Sequence, residues 1–156
     1  MSIDLSTAGV SLSYAVETTA STRPTTGYTK IPGIKSTPDL NPAPETLETT
    51  TLDALEYKTY VDGLKDLGGA LEFTANLTED LITTWDTTLM TAYETAKSSG
   101  KATWFVIQHP SLTKAVYFTG NPASMGLPAA EVGNVFETTL YVTPTGEPSW
   151  QAKPTV

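Results

Sequence analysis

The sequence has no cysteine and a single histidine among its 156 residues. Without thiols the chain can form neither a disulfide framework nor a thiolate metal site, and one histidine is too few for the common zinc ligand sets. The absence of cysteine suits a protein made in a reducing cytoplasm. The N-terminus also lacks a basic stretch followed by an apolar run, so we expect neither a secretory signal nor a transmembrane helix.

Basic residues are scarce, and they do not cluster. The chain has 9 Lys and Arg against 17 Asp and Glu, which gives a formal net charge of −8 and a sequence pI near 4.5. The basic residues are scattered singly between Arg23 and Lys153. Because such a surface repels a phosphate backbone, we expect no specific binding of nucleic acid.

The usual signatures of catalysis are missing as well. The sequence has no G-x-S-x-G nucleophile frame, no glycine-rich phosphate loop and no EF-hand calcium loop. His109 has no second histidine or cysteine with which to share a metal, and a structural or solvent-facing role explains it better than a general base. Glu79 and Asp80 could be a pair of glycosidase acids, but the first turn of a helix explains them better. We therefore expect no catalytic residue, no metal ligand and no cofactor, and a protein that is not an enzyme.

The length, the threonine content and the apolar patterns of the sequence predict a mainly β protein of the α+β class. The length favours one domain, residues 1–156, and the 29 threonines suit the exposed faces of strands. Apolar alternation and apolar runs predict strands at residues 10–16, 71–77, 102–108, 114–119 and 135–142, with shorter extended pieces at 28–31 and 34–40. We expect a two-sheet β-sandwich or barrel with one flanking helix. The proline-rich tail at 143–156 is expected to be loosely held.

The predicted helix spans about residues 79–98. Thr78 can cap its N-terminus, the acidic Glu79 and Asp80 lie in its first turn, and Gly100 follows its last turn. Apolar residues recur along it at spacings of three and four, namely Leu81, Ile82, Trp85, Leu89, Ala92, Tyr93 and Ala96. We expect this face, and Trp85 above all, to pack against the sheets.

The segment at residues 42–68 is predicted to be an extended arm. Thr, Glu and Asp dominate it, yet its apolar residues are too regularly placed for a solvated linker. The apolar residues that we expect to make contacts between subunits are Leu47, Leu52, Leu55, Tyr57 and Tyr60. A long insertion of this kind in a small β protein is usually a functional loop that packs on a neighbour. We expect the arm to be mobile in the free monomer and ordered between subunits.

The order of these features resembles the major tail tube proteins of long-tailed bacteriophages. The resemblance rests on the arm end Y-V-D-G-L-K-D-L-G at 60–68, the strand at 71–77 with its Thr-Glu-Asp helix start, and the closing run F-E-T-T-L-Y-V-T-P-T-G-E-P at 136–148. It covers most of the chain, through short motifs. Related sequences often have proline before the glycine of the arm-end turn, where this chain has Asp62.

The resemblance implies a tail-tube fold that forms hexameric rings, stacked head to tail into a hollow tube through which DNA leaves the capsid. The protein would then be a component of the virion tail, made in the host cytoplasm. Its partners would be further copies of itself, a tape-measure protein, a terminator protein and baseplate or tail-tip proteins. DNA would pass through the lumen without specific binding, and no membrane would be involved.

Three side chains are candidates for the lumen wall. In the tube fold one sheet surface lines the channel. Strand alternation places Glu72 and Asn76 on the polar face of the strand at 71–77, and Glu137 on the non-core face of the last strand. Carboxylates repeated around such a wall would repel DNA at every level.

A function of a different class stays open at this point. A threonine-rich, acidic, cysteine-free β-sandwich is also typical of a virion-surface or cell-surface binding module, for example one that binds carbohydrate through exposed aromatic rings. Trp85 and Trp104 lie in apolar segments and are expected in the core. Trp150, in the tail, is the tryptophan expected at the surface.

Overall fold

The computed structural model describes residues 4–41, 43–53, 55–67 and 69–155. Within these residues the strands are β1 (Ser11–Val16), β2 (Thr29–Lys30), β3 (Ile34–Ser36), β4 (Ala43–Glu48), β5 (Tyr60–Asp66), β6 (Leu71–Asn76), β7 (Thr103–Gln108), β8 (Lys114–Pro122), β9 (Glu137–Pro144) and β10 (Ser149–Ala152). One helix of 20 residues, α1, lies between β6 and β7. It consists of the consecutive segments Glu79–Ile82, Thr83–Leu89 and Met90–Ser98.

Every strand except β4 and β5 belongs to one curled antiparallel sheet. Its order is β2-β1-β7-β8-β9-β6-β3, and β10 pairs with β8. Strand β8 joins the two halves, because its first part pairs with β7 and β10 and its residues 120–122 pair with β9. A Cβ at Gly120 would overlap the Val142 side chain, so only glycine fits where β8 passes between the halves. The sheet forms a half-barrel, and the prediction of a mainly β sandwich or barrel with one helix is confirmed.

The main core lies between the concave face of the half-barrel and one face of α1. A row of aromatic rings runs through it, with centroids 6.5 Å apart for Phe73 and Phe118, 5.5 Å for Phe118 and Phe105, and 6.5 Å for Phe105 and Trp85. The buried residues of this core are Leu12, Tyr14, Ile31, Leu71, Phe73, Ala75, Leu81, Trp85, Leu89, Phe105, Phe118, Leu140 and Val142. Trp85 is fully buried, as its place on the apolar face of the helix predicts.

Helix α1 begins and ends where the sequence predicts, but its middle is not a regular α-helix. The Thr78 hydroxyl accepts a hydrogen bond from the backbone N–H of Leu81 at 3.2 Å, and residues 83–89 have wider, π-helical turns. An α-helix has about 3.6 residues per turn, so residues spaced by four gradually move around the helix axis. The wider turns contain more residues each, and they keep residues spaced by four on one face. Four residues spaced by four are accordingly all buried: Leu81, Trp85, Leu89 and Tyr93. Ile82 is 38% exposed, so its assignment to the buried face is wrong.

A second, smaller apolar cluster lies on the convex face of the sheet. Alternation along β7 and β8 directs Val106 and Tyr117 away from the main core. The ring of Tyr28 meets that of Tyr117 edge-on at 5.9 Å, and the Arg23 guanidinium lies 4.4 Å above the Tyr117 ring centroid. Strand β7 is therefore buried on both faces, as its continuous apolar run predicts.

The C-terminal segment is held more firmly than predicted. β10 pairs with β8 from Ser149 to Ala152. The Tyr117 hydroxyl donates a hydrogen bond to the Ala152 carbonyl at 2.7 Å, and the Thr155 N–H donates to the Thr25 carbonyl at 2.8 Å. The expectation of a loosely held tail from residue 143 is corrected here, because the open edge of β8 binds this short strand.

A buried carboxylate joins loops at one end of the sheet. Glu17 is 4% exposed and accepts hydrogen bonds from the backbone N–H groups of Ser21 (3.1 Å) and Ala102 (2.8 Å) and from the indole N–H of Trp104 (3.0 Å). Burial by itself raises the pKa of Glu17. The hydrogen bonds, that from Trp104 foremost, outweigh burial and hold the pKa of Glu17 below its ordinary value of 4.5.

Replacing Glu17 should change how stability depends on pH. Glu17→Gln should lower the free energy of unfolding at neutral pH by about 1.5 to 3 kcal/mol, because hydrogen bonds to a buried charged group are lost. A lowered folded pKa contributes stability above 4.5 that disappears as the pH falls through the folded pKa. The gap between parent and variant should therefore narrow below pH 4.5, as measured by urea denaturation across pH. Glu94→Gln, at an exposed site, is the control. A gap that stays constant down to acid pH would contradict the assignment.

Truncating the central tryptophan should severely destabilise the fold. Trp85→Ala removes a fully buried ring and its Nε1–H hydrogen bond to the Ala123 carbonyl (2.9 Å), at a cost of about 3 to 5 kcal/mol. Trp85→Phe should cost less because most of the ring volume stays. Thr87→Ala, on the exposed side of the same turns, is the matched control. Thermal unfolding measures all three, and a Trp85→Ala protein that melts close to the parent would disprove this packing.

Candidate assembly surfaces

The predicted arm forms a two-stranded hairpin that projects from the half-barrel. β4 and β5 pair antiparallel, with Leu47 opposite Val61 and Glu48 opposite Tyr60. The sequence predicted an extended arm at about 42–68, and within it the structure shows two paired strands. Positions 42, 54 and 68 of the predicted arm lie outside the described residues.

Threonines close the hairpin below its tip. The Thr49 N–H donates a hydrogen bond to the Thr59 carbonyl at 2.7 Å, and the hydroxyls of the same two residues are hydrogen-bonded at 2.9 Å. The Thr59 N–H donates to the Thr50 hydroxyl, also at 2.9 Å. These contacts hold the base of the tip loop in place.

The apolar residues assigned to the arm are all exposed. Their exposed fractions are Leu47 49%, Leu52 104%, Leu55 94%, Tyr57 78% and Tyr60 54%. Val61 and Leu64, on β5, are also exposed. A group of large apolar side chains in water on one projecting element is the usual mark of a contact surface.

The half-barrel gives the hairpin little support. Among the helices and strands that the structure describes, β4 and β5 pack extensively only against each other. An isolated two-stranded hairpin is marginally stable in water. The arm therefore lacks, within one subunit, the packing that its apolar side chains require.

The three lumen candidates lie on one outer face of the sheet. In the antiparallel pair of β6 and β9, Glu72 is opposite Tyr141 and Asn76 is opposite Glu137. Opposed residues share a face, and the intervening residues Phe73 and Leu140 point into the core. Two strands distant in sequence thus form a single polar surface.

The candidates are not equivalent in their surroundings. Glu137 forms an ion pair with Lys35, which reaches over β6 from the edge strand β3. Asn76 is half-buried, and its side-chain oxygen is buried with no hydrogen-bond partner among the described residues. Glu72 is exposed and takes part in none of the ion pairs found in the described part of the chain. Glu72 is thus the clearest source of negative charge on this face.

A second exposed apolar segment lies in the loop between β8 and β9, which begins two residues further along the chain than the strand predicted from residue 135 would allow. Leu127, Val132 and Val135 are 84%, 104% and 71% exposed. Hydrogen bonds anchor both ends of the loop, from the Ala123 N–H to the Tyr141 carbonyl and from the Leu77 N–H to the Phe136 carbonyl, both at 2.9 Å. Apolar residues are spaced through this loop as they are through the arm. The criterion that predicted a contact surface in the arm therefore applies to this loop as well.

His109 has a structural role. Its Nδ1 accepts a hydrogen bond from the Ser111 N–H at 3.0 Å, so the ring proton lies on Nε2 and is donated to the Ser6 carbonyl at 2.6 Å. Both nitrogens thus hold loops together. No group of three or more potential metal ligands occurs among the described residues.

The tryptophans do not build an exposed aromatic platform. Trp85 is in the core, and Trp104 is half-buried with its N–H bound to Glu17. Trp150, in β10, is 58% exposed. The described part of the chain has no helix that meets the length and hydropathy needed to span a membrane.

Comparison with known proteins finds likeness in structure but not in sequence. No family model and no curated protein sequence matches the chain. A chain in the six-fold symmetrised cryo-EM structure of the anti-feeding prophage baseplate superposes with a TM-score of 0.61 at 9% identity, over 97% of this chain and 98% of that one. A chain in the tail of an empty GTA particle, refined helically with C6 symmetry, has a TM-score of 0.59 at 14% identity, over 96% and 100%. A chain in the anti-feeding prophage cap, which terminates the tube, has a TM-score of 0.58 at 9% identity, over 97% and 93%.

These comparisons identify the fold. The half-barrel with one helix is the fold of chains from phage-like tail assemblies, and the alignment includes nearly the whole length of both chains. The predicted resemblance to tail proteins is confirmed at this level.

Proposed function

We propose that this protein is a structural, non-enzymatic subunit of a phage tail tube, in which hexameric rings stack into a conduit for DNA. The observation that carries the proposal is the arm: a projecting hairpin with apolar side chains that no other part of the described subunit covers. Its exposure is costly in a lone monomer and is relieved when neighbouring subunits bury it. Negative-stain microscopy of the purified protein is the direct test, because rings or tubes support the proposal and a persistent monomer contradicts it.

The partners follow from the kind of contact. An arm that fits a different surface on the next subunit makes a head-to-tail interface, and such interfaces continue indefinitely unless something stops them. We therefore propose a tape-measure protein, a terminator and a baseplate or tail-tip protein as further partners in the virion. The fold likeness to chains from baseplate, tail and cap structures agrees with a subunit that works among such components.

The outer face of β6 and β9 is our candidate for the lumen wall. Between Glu72 and Glu137 the face carries hydroxyl and amide side chains, and Glu137 is paired with Lys35. A wall of this kind has a modest negative charge and no basic cluster on which DNA could rest. DNA would pass along it without specific binding.

The loop between β8 and β9 is a second proposed contact surface. It offers three exposed aliphatic side chains, whereas its ends are tied to the sheet. Exposed aliphatic side chains of this kind offer a surface on which the arm of a neighbouring subunit can pack.

Removing the apolar tip of the arm should stop assembly without unfolding the subunit. Leu52→Ser with Tyr57→Ser changes two residues that are 104% and 78% exposed, so the melting temperature should stay within about 2 °C of the parent. Tubes should be absent under conditions in which the parent forms them, as seen by negative-stain microscopy and sedimentation velocity. Leu52→Met with Tyr57→Phe keeps the apolar area at the same positions and should still assemble. Normal tubes from the serine variant would show that the tip makes no essential contact.

Reversing the charge at the proposed lumen wall should slow the passage of DNA. In particles assembled with Glu72→Lys, each ring would carry new positive charges, so DNA release should be slower at low salt and recover at high salt. Glu94→Lys, an exposed charge reversal on the helix, is the control for net charge. Release is timed by fluorescence of a DNA dye at both salt concentrations. A parental rate at both would place Glu72 away from the DNA path.

A further inference from the structure

A loop and the C-terminal strand meet at Tyr117. From the loop at residues 18–28, the Arg23 guanidinium lies 4.4 Å from the centroid of the Tyr117 ring, and the Tyr28 ring meets the same ring edge-on at 5.9 Å. The Tyr117 hydroxyl donates a hydrogen bond to the Ala152 carbonyl of β10 at 2.7 Å. One side chain of β8 thus binds two segments that are distant in sequence.

The two segments are also bound directly to each other. The Thr155 N–H donates a hydrogen bond to the Thr25 carbonyl at 2.8 Å. We call residues 18–28 and 149–155 together the strap. The structure describes all of these residues, and none of their side chains is buried. The apolar cluster that contains Tyr117 is separate from the main core. Segments with few buried side chains open at a lower cost in free energy than a core does, so the strap can open without unfolding the half-barrel.

Glu17 holds the start of the loop in place. Ser21 has a φ of +63°, a left-handed conformation that is uncommon for residues other than glycine. The Glu17 carboxylate accepts the Ser21 N–H at 3.1 Å, and it also accepts the Ala102 N–H at 2.8 Å and the indole N–H of Trp104 at 3.0 Å. It therefore joins the loop to β7. A strained residue persists only where its surroundings fix it, so loss of this carboxylate should release the loop.

We propose that the strap is a conformational device that opens as one unit, is held closed by Glu17, and moves while the main core stays folded. Opening exposes the apolar cluster of Val106, Ala115 and Tyr117 and the edge of β8 that β10 occupies. An open strand edge is a template for pairing with another chain, so the closed strap protects the subunit from unwanted pairing. The device operates within a single subunit and does not depend on self-assembly.

Hydrogen–deuterium exchange at increasing, non-denaturing urea concentrations measures the opening of each segment. Peptides that cover 18–28, 149–155 and β6 are followed by mass spectrometry. In the parent, both parts of the strap should have the same opening free energy, and it should be lower than that of β6, which packs in the main core. Glu17→Gln should speed exchange in both parts by the same factor, about tenfold or more, because hydrogen bonds to a charged group are lost. Glu94→Gln is the control.

Thr155→Pro tests the link from the other end. Proline has no N–H, so this change removes the hydrogen bond to Thr25 and alters an exposed side chain. Exchange should become about threefold faster in the loop as well as in the C-terminal segment. Thr155→Ala keeps the N–H and should match the parent. If either Glu17→Gln or Thr155→Pro speeds exchange only in the part that it contacts or belongs to, or if both parts of the parent exchange as slowly as β6, the strap does not open as a unit and the proposal is wrong.

Discussion

The contact of Trp85 with the concave face of the sheet is the interaction on which the rest of the structure depends. The indole lies next to Phe105, and its N–H binds the Ala123 carbonyl in the loop after β8. Helix, sheet and loop meet at this one side chain. The helix covers the concave face of the half-barrel. The apolar side chains on that face are therefore buried within one subunit.

The two halves of the sheet differ in what lies on their convex faces. On the half built around β7 and β8, Tyr28 and Arg23 of the same subunit pack on Tyr117 of the convex face. On the half built around β6 and β9 the convex face stays polar and open. The hairpin and the loop before β9 carry the most exposed aliphatic side chains among the described residues. One subunit thus has a closed core, a polar outer face and exposed apolar segments, which are the features on which the proposed tube depends.

Prediction from sequence was most accurate for helices and strands in which one hydrophobic period extends over the whole element. The helix at 79–98 and the strand at 71–76 are found where their patterns place them, because burial against one core imposes those periods directly. The grouping of Glu72, Asn76 and Glu137 on one face also followed from alternation. The hairpin was harder, since β4 and β5 pair with each other and bury no face that would leave a clean pattern. Strand β10 was missed because its pairing depends on the open edge of a distant strand, β8.

The sequence by itself determined the class of the protein: an acidic, cysteine-free, mainly β chain with one amphipathic helix and an extended polar arm that carries regularly placed apolar residues. These properties are local, since each is carried by composition or by the spacing of neighbouring residues. Only the tertiary structure decided the curl of the sheet at Gly120, the pairing of Lys35 with Glu137 across β6, and the pairing of β4 with β5. Each of these depends on which distant strands become neighbours and in what register. A shift of one residue would reverse every face, and no short stretch of sequence contains that information.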